Sequence, residues 1–202
     1  MLKLYTNPFS TFARRVDIAL REKNIDAERV IVDLGKKEHR GEAYLAMHPY
    51  GRVPTLVDGD FVLPESTPIL EYLEQKYPQP PLVPPDAKGR ALVSLHMKLC
   101  DLELTGPNYT TVFSKRFVPR DKWRVDAMER AKKPTERHFS VLGQQLGDKP
   151  FLVADRFTLA EVCYIPFLHF VDLLEVEIPD NVRRWSKELS ERPSVKATVP
   201  AM

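Results

Sequence analysis

The sequence predicts an α/β unit followed by an all-α helical bundle, and three observations carry that expectation. Every strand-like run lies before residue 78, and almost only helix-like runs lie after residue 86. Between them Pro78, Pro80, Pro81, Pro84 and Pro85 fall within eight residues, where neither a helix nor a central strand persists. The first segment also opens with strand, helix and strand in the spacing of a right-handed parallel crossover. The expected organisation is an α/β domain over 1–77, a proline-rich linker over 78–86 and a helical domain over 87–202. With 18 prolines and 8 glycines in 202 residues, the chain has about twice the usual proline and roughly half the usual glycine. Its 43% hydrophobic content and the periodicities below favour a packed core over disorder.

Taken in order, Leu2–Thr6 alternates as a short strand. Residues 11–23 read as a helix, with Phe12, Val16, Ala19, Leu20 and Lys23 at three- and four-residue steps. Glu28–Val32 is a second strand, and a short, weakly periodic helix covers 39–47. Val53–Val57 and Phe61–Leu63 flank Asp58-Gly59-Asp60, whose D-G pair signals a hairpin. Ser66 is expected to cap a helix through Tyr77, with Pro68 tolerated in its first turn. This order describes a thioredoxin-like layout. Beyond the linker, Ala91, Leu92, Leu95, Leu99, Leu102 and Leu104 predict a long helix running past Asp101, and 121–146 a second. Thr158-Leu159-Ala160-Glu161 is a capping box opening a helix through Phe170, apolar on most sides and so expected to be central and buried. A short helix over Asn181–Leu189, with Trp185, closes the bundle.

Composition and motifs exclude several classes of chemistry. No G-x-G-x-x-G and no G-x-x-x-x-G-K-[ST] occurs, so no nucleotide fingerprint or phosphate loop is present. A net charge of +2 favours neither nucleic acid nor an anionic membrane. The basic stretch Arg130, Lys132, Lys133 and Arg137 is interrupted by Glu129 and Glu136, which reads as a solvated helix face. The five histidines lack metal-site spacing, and no metal is expected. Cys100 and Cys163 stand far apart in unlike contexts, as in a reducing cytoplasm. No apolar run approaches the ~20 residues of a membrane helix.

Five short motifs in register then resemble a family. Tyr5-Thr6-Asn7-Pro8-Phe9-Ser10-Thr11-Phe12-Ala13-Arg14-Arg15-Val16 is followed by Glu38-His39, His48-Pro49-Tyr50-Gly51, Arg52-Val53-Pro54 and Pro64-Glu65-Ser66. Together they resemble a serine-type glutathione transferase, closest to the phi and theta classes. The resemblance is detailed over about 1–77; beyond the linker it is one of architecture plus the Phe157–Glu161 segment. It implies the two-domain fold of that family, a cytoplasmic homodimer, and detoxifying conjugation of glutathione, a co-substrate, to hydrophobic electrophiles without a prosthetic group.

Residue by residue, the resemblance implies that Ser10 stabilises the glutathione thiolate. The residues alone also allow a plain N-cap there, and Tyr5, near the end of the first strand, is the alternative hydroxyl. Pro54 is expected to be cis, turning the Val53 backbone toward a peptide that pairs like an added strand. Ser66 is expected to hold the γ-glutamyl carboxylate at a helix N-terminus and Glu65 the amino group, with His39 and Arg52 bracketing the glycine carboxylate. Arg14 and Arg15 either support the site electrostatically or lie on a solvated helix surface. Phe9, Phe12, Tyr109, Phe113 and Phe117 are the candidates for the electrophile site, although the last three, at four-residue steps, equally suit core or dimer contact. The absence of cysteine from Phe9–Ala13 speaks against thiol-transferase chemistry. Two other readings fit the same fold: a non-catalytic regulatory module, and a glutathione-dependent dehalogenase, peroxidase or isomerase.

Overall fold

The computed structural model describes residues 1–200. Two compact units emerge, one of Met1–Leu82 together with the chain from Arg192 onward, the other of Val83–Glu191.

The first unit is a four-stranded sheet with helices on its faces. Its elements are β1 (Leu2–Thr6), α1 (Thr11–Glu22), β2 (Ala27–Ile31), α2 (Glu42–Met47), β3 (Thr55–Asp58), β4 (Phe61–Pro64) and α3 (Ser66–Lys76). The strand order is β2-β1-β3-β4. β1 and β2 are parallel across α1, and β3 and β4 form an antiparallel hairpin in which Gly59 takes φ +65 at the turn. The thioredoxin-like layout is therefore as the sequence implies. Period-two alternation divides β1 between two cores. Leu2 and Leu4 pack with Val16 and Leu20 of α1 and Ile69 and Leu73 of α3. Tyr5 packs with Ala13, Val32, Tyr44 and Val53.

This unit differs from the expected boundaries at both ends of the helical segment. Residues 78–82 belong to it because Glu74, in α3, holds them: its carboxylate accepts from Lys23 Nζ at 2.6 Å and from the Leu82 N–H at 3.1 Å, while Lys23 also donates to Pro80 O at 2.8 Å. The chain after Arg192 belongs to it because Glu22, the last residue of α1, takes a bidentate grip from the Arg192 guanidinium at 2.9 and 2.6 Å and a hydroxyl hydrogen bond from Ser194. The helical domain thus ends near 191 rather than 202.

The second unit is all-helical. It comprises α4 (Ala87–Pro107), continuing through a π-helical turn (Asn108–Phe113) into α5 (Ser114–Phe117), then α6 (Val125–Leu146), α7 (Leu159–Leu168) and α8 (Asp180–Ser190). The Asp86 carboxylate caps α4 by accepting from the Gly89 N–H at 2.8 Å. Every residue of α7 is buried, as its all-round apolar sequence requires. The capping box forms: Glu161 accepts from the Thr158 N–H at 2.8 Å and from its hydroxyl at 2.7 Å. The second Glu161 oxygen accepts from the Leu152 N–H at 2.8 Å, which ties the preceding loop to the helix. Around Tyr164 of α7 lie His96 of α4, His138 of α6 and Trp185 of α8. Cys100 and Cys163, remote in sequence, meet here without a disulfide, Cys100 donating to Cys163 O at 3.3 Å. No helix among the described residues is long and apolar enough to cross a membrane.

Candidate functional site

Strand register decides which residues can act together. Thr6 pairs with Ile31, Tyr5 with Thr55, and Thr55 with Pro64. The end of β1, the end of β2, the start of β3 and the end of β4 therefore share one edge of the sheet. Ser10, the turn with His39, Val53-Pro54 and Glu65-Ser66 are all borne on the connections at that edge.

Ser10 is the N-cap of α1, its Oγ accepting from the Ala13 N–H at 3.2 Å. The cap expectation is thus met, and it leaves the hydroxyl proton available to a ligand, since a serine hydroxyl donates once and accepts twice. Asn7, overlooked in the sequence, holds this loop. Its amide donates to Val32 O at 3.0 Å, its side-chain oxygen accepts from the Phe9 N–H at 3.0 Å, and its carbonyl accepts from the Ser10 N–H at 3.0 Å. The Asn-Pro dipeptide was the available signal. Tyr5 stands edge-on to Tyr44, ring centroids 6.1 Å apart, and is a packed aromatic of the sheet face. Arg14 and Arg15 are 2% and 0% exposed, which overturns a solvated helix surface for both. The Arg15 guanidinium lies 4.8 Å over the Phe12 ring.

The Val53-Pro54 bond is cis. Tyr44 secures it from both sides, donating to Arg52 O at 2.6 Å and meeting Thr55 Oγ1 at 3.0 Å. Burial raises the pKa of the Tyr44 phenol, opposed by the Thr55 hydrogen bond. The β1–β3 ladder begins only at Thr55, so Val53 lies outside it. Gly51 brings the neighbouring turn close: it adopts φ +57, and a Cβ there would stand 2.5 Å from His39 O. His39 sits in a 3-10 turn (Glu38–Arg40), half-buried, its Nδ1 buried without a hydrogen-bond partner. Burial, then Arg40, hold its imidazole below the usual pKa. Arg52 is exposed, its guanidinium 5.9 Å from the Tyr50 ring.

At the head of α3 the expectation is corrected. Glu65, not Ser66, is the cap residue, and it makes no side-chain capping bond. Its φ of +73 turns the chain from β4 straight into the helix, so Ser66 is already helical and 3% exposed. The first-turn N–H groups there have no intrahelical acceptors.

The candidate aromatic residues divide between the units. Phe9 is 41% exposed. Tyr109, Phe113 and Phe117 are not core. They form an exposed ladder through the π-helical turn, with ring centroids 5.4 and 5.2 Å apart, because the turn and four-residue spacing keep all three on the outer face.

A thioredoxin-like domain thus gathers helix N-termini and a cis X-Pro turn at one sheet edge, and a helical unit follows it in the chain. Family models described as the glutathione S-transferase N-terminal and C-terminal domains match residues 4–81 and 125–188. Glutathione S-transferase F7 of Arabidopsis thaliana is 33% identical over 215 residues, covering 96% of this chain and 97% of that protein. A stringent starvation protein A homolog of Coxiella burnetii is 29% identical over 205 residues, covering 98% and 91%. The crystal structure of glutathione transferase F2 from Populus trichocarpa superposes with a TM-score of 0.88 at 27% identity, covering 98% and 97%. The chain belongs to the glutathione S-transferase family.

Proposed function

We propose that the protein conjugates glutathione to hydrophobic electrophiles, with Ser10 donating its hydroxyl hydrogen bond to the glutathione thiolate. The observation that carries this reading is the shared sheet edge, which bears a hydroxyl at one helix N-terminus, a backbone edge at Val53 and a buried serine at a second helix N-terminus. A thiol of pKa near 8.5 is mostly protonated at neutral pH, and the thiolate is the nucleophile. The Ser10 O–H and the positive end of α1 favour the charged form, each unit of lowering corresponding to about 1.4 kcal/mol. The tripeptide backbone pairs with Val53 ahead of Pro54. Its γ-glutamyl carboxylate meets Ser66 and the α3 N-terminus, its amino group meets Glu65, and its glycine carboxylate meets His39 and Arg52. The thiolate then forms a carbon–sulfur bond as the electrophile's leaving group departs, positioning and thiolate stabilisation supplying the rate. Phe9, 41% exposed, and Phe12 are the apolar contacts that the first unit offers to the electrophile.

The partner in assembly is a second copy. Leu92, Leu95 and Leu102 of α4 are 47%, 45% and 61% exposed, and with Leu99 they repeat at three, four and three residues, a heptad seam. Lys88 and Arg90 precede this seam and Asp101 and Glu103 end it, so antiparallel apposition of two copies pairs opposite charges. A cytoplasmic location suits a protein whose two buried cysteines form no disulfide.

Retention on immobilised glutathione, followed by conjugation of a chromogenic aryl halide, tests the reading. The Ser10→Ala variant should lose about 10- to 100-fold in kcat, the value of one hydrogen bond to a charged group. It should raise the pKa of the bound thiol with little change in glutathione affinity. Identical thiolate titration in the variant would transfer the role to Tyr5. No retention and no conjugation across several electrophiles would instead favour a non-catalytic regulatory module.

A further inference from the structure

One buried side chain beside the candidate site has no role in the conjugation just described. His48 follows α2 and is 1% exposed. Its Nδ1 is buried without a hydrogen-bond partner, and its Nε2 lies 3.9 Å from Glu65 Oε1. The ring is clamped: it stacks on Tyr44 at 6.4 Å and 20° and stands edge-on to Tyr50 at 6.3 Å and 87°. Its backbone is tied at both sides, its N–H donating to Tyr44 O at 2.9 Å and its carbonyl accepting from the Gly51 N–H at 2.8 Å. These contacts place the imidazole beside the Glu65 carboxylate, which is itself half-exposed and carried on a residue with φ +73.

We propose that His48 is a positioning residue for Glu65: neutral, it steers the carboxylate toward a ligand's cationic amino group, and protonated, it competes with that group. The proposal rests on Glu65 receiving the glutathione ammonium. An unpaired buried Nδ1 fits a neutral ring whose single proton is on Nε2, toward the carboxylate, since a bare acceptor is tolerated more readily than an orphaned donor. The groups facing the ring are the Tyr44 phenol from α2, Tyr50 and Arg52 from the following turn, and Glu65 from the head of α3. Burial holds the imidazole below its usual pKa, Glu65 pulls it back up, and Arg52 pushes it down again. The neutral ring is therefore the working form at neutral pH. When the ring takes a proton on Nδ1, a second cation lies beside the carboxylate that the ligand's ammonium needs. Binding and protonation then oppose one another, by the same factor in each direction.

S-methylglutathione tests this without a thiol to titrate. Its dissociation constant is measured by calorimetry between pH 5.5 and 8 for the native protein and for His48→Asn, and the ratio of the two cancels whatever His39 contributes. The native protein should weaken relative to the variant by about twofold or more on going to pH 5.5. A flat ratio, while Glu65→Gln still weakens binding at pH 8, overturns the role of His48 and leaves Glu65 in place. Glu65→Gln binding like the native protein overturns the Glu65 assignment, and the proposal with it. Should His48→Asn not fold, the His48 ring signal in the native protein serves instead. Saturating S-methylglutathione should lower its pKa by the logarithm of the full coupling factor, so by at least as much as the pH 5.5 ratio implies, and an unchanged value overturns the proposal.

Discussion

Glu65 occupies backbone space that suits glycine, φ +73 and ψ 129, at a cost on the order of 1–3 kcal/mol for a residue with a side chain. Glu65→Gly should therefore raise the unfolding free energy by about 1 kcal/mol in urea titrations while raising the glutathione KM about tenfold, one charge-assisted contact being lost. A stabilised variant with unchanged KM would remove Glu65 from the site. At this scale the positions of Ser10, Pro54 and Glu65 at element ends were legible because each has a local signature: serine before a helix, X-Pro before a strand, an acid before a second helix. Tyr44 and Asn7 were not. Tyr44 acts through hydrogen bonds to Arg52 and Thr55, eight and eleven residues away, and a weakly periodic segment gives no hint of such pairing. Asn7 acts on Val32, 25 residues away, where only parallel strand pairing brings it.

The elements test the same logic. Thr158→Ala removes an acceptor for the Ala160 N–H and a donor to Glu161. Burial raises the Glu161 pKa against four opposing hydrogen bonds, of which Thr158 supplies two. The variant should lose about 1–3 kcal/mol of stability by thermal or urea unfolding. The cluster around α7 sets a pH dependence. Burial, then His96, lowers the His138 pKa from 6.5 to about 4. An unfolded histidine takes up its proton near pH 6.5 and the folded one only near 4, so the unfolded state is favoured increasingly as pH falls across that window. Stability from this residue is complete above about pH 6.5, and about 3 kcal/mol is lost by pH 4. Melting temperature should fall across that window, and His138→Phe should flatten the fall. The capping box and the apolar girth of α7 were readable in the sequence, whereas the convergence of His96, His138, Tyr164 and Trp185 required four helices to pack.

For the whole molecule, the seam on α4 makes a concentration-dependent prediction: Leu95→Lys should convert a dimer to a monomer in sedimentation velocity. A dimer that persists would place the interface elsewhere. The division into units was largely legible, since clustered prolines cannot sit inside an element. The exact edges were not. Residues 78–82 are claimed by the Lys23–Glu74 pair and the chain from Arg192 by Glu22, each through a long-range ion pair that no local pattern announces. The sequence by itself determined the order of elements, the capping box, the hairpin and the motifs, because helix periodicity, strand alternation and cap chemistry act within a few residues. Tertiary structure alone decided that four separate connections share one sheet edge, that Arg14 and Arg15 are buried, that the Tyr109 ladder is exposed, and that His48 lies against Glu65. Those facts depend on strand register and on which faces meet, and both are settled only when segments distant along the chain compete for the same buried surface.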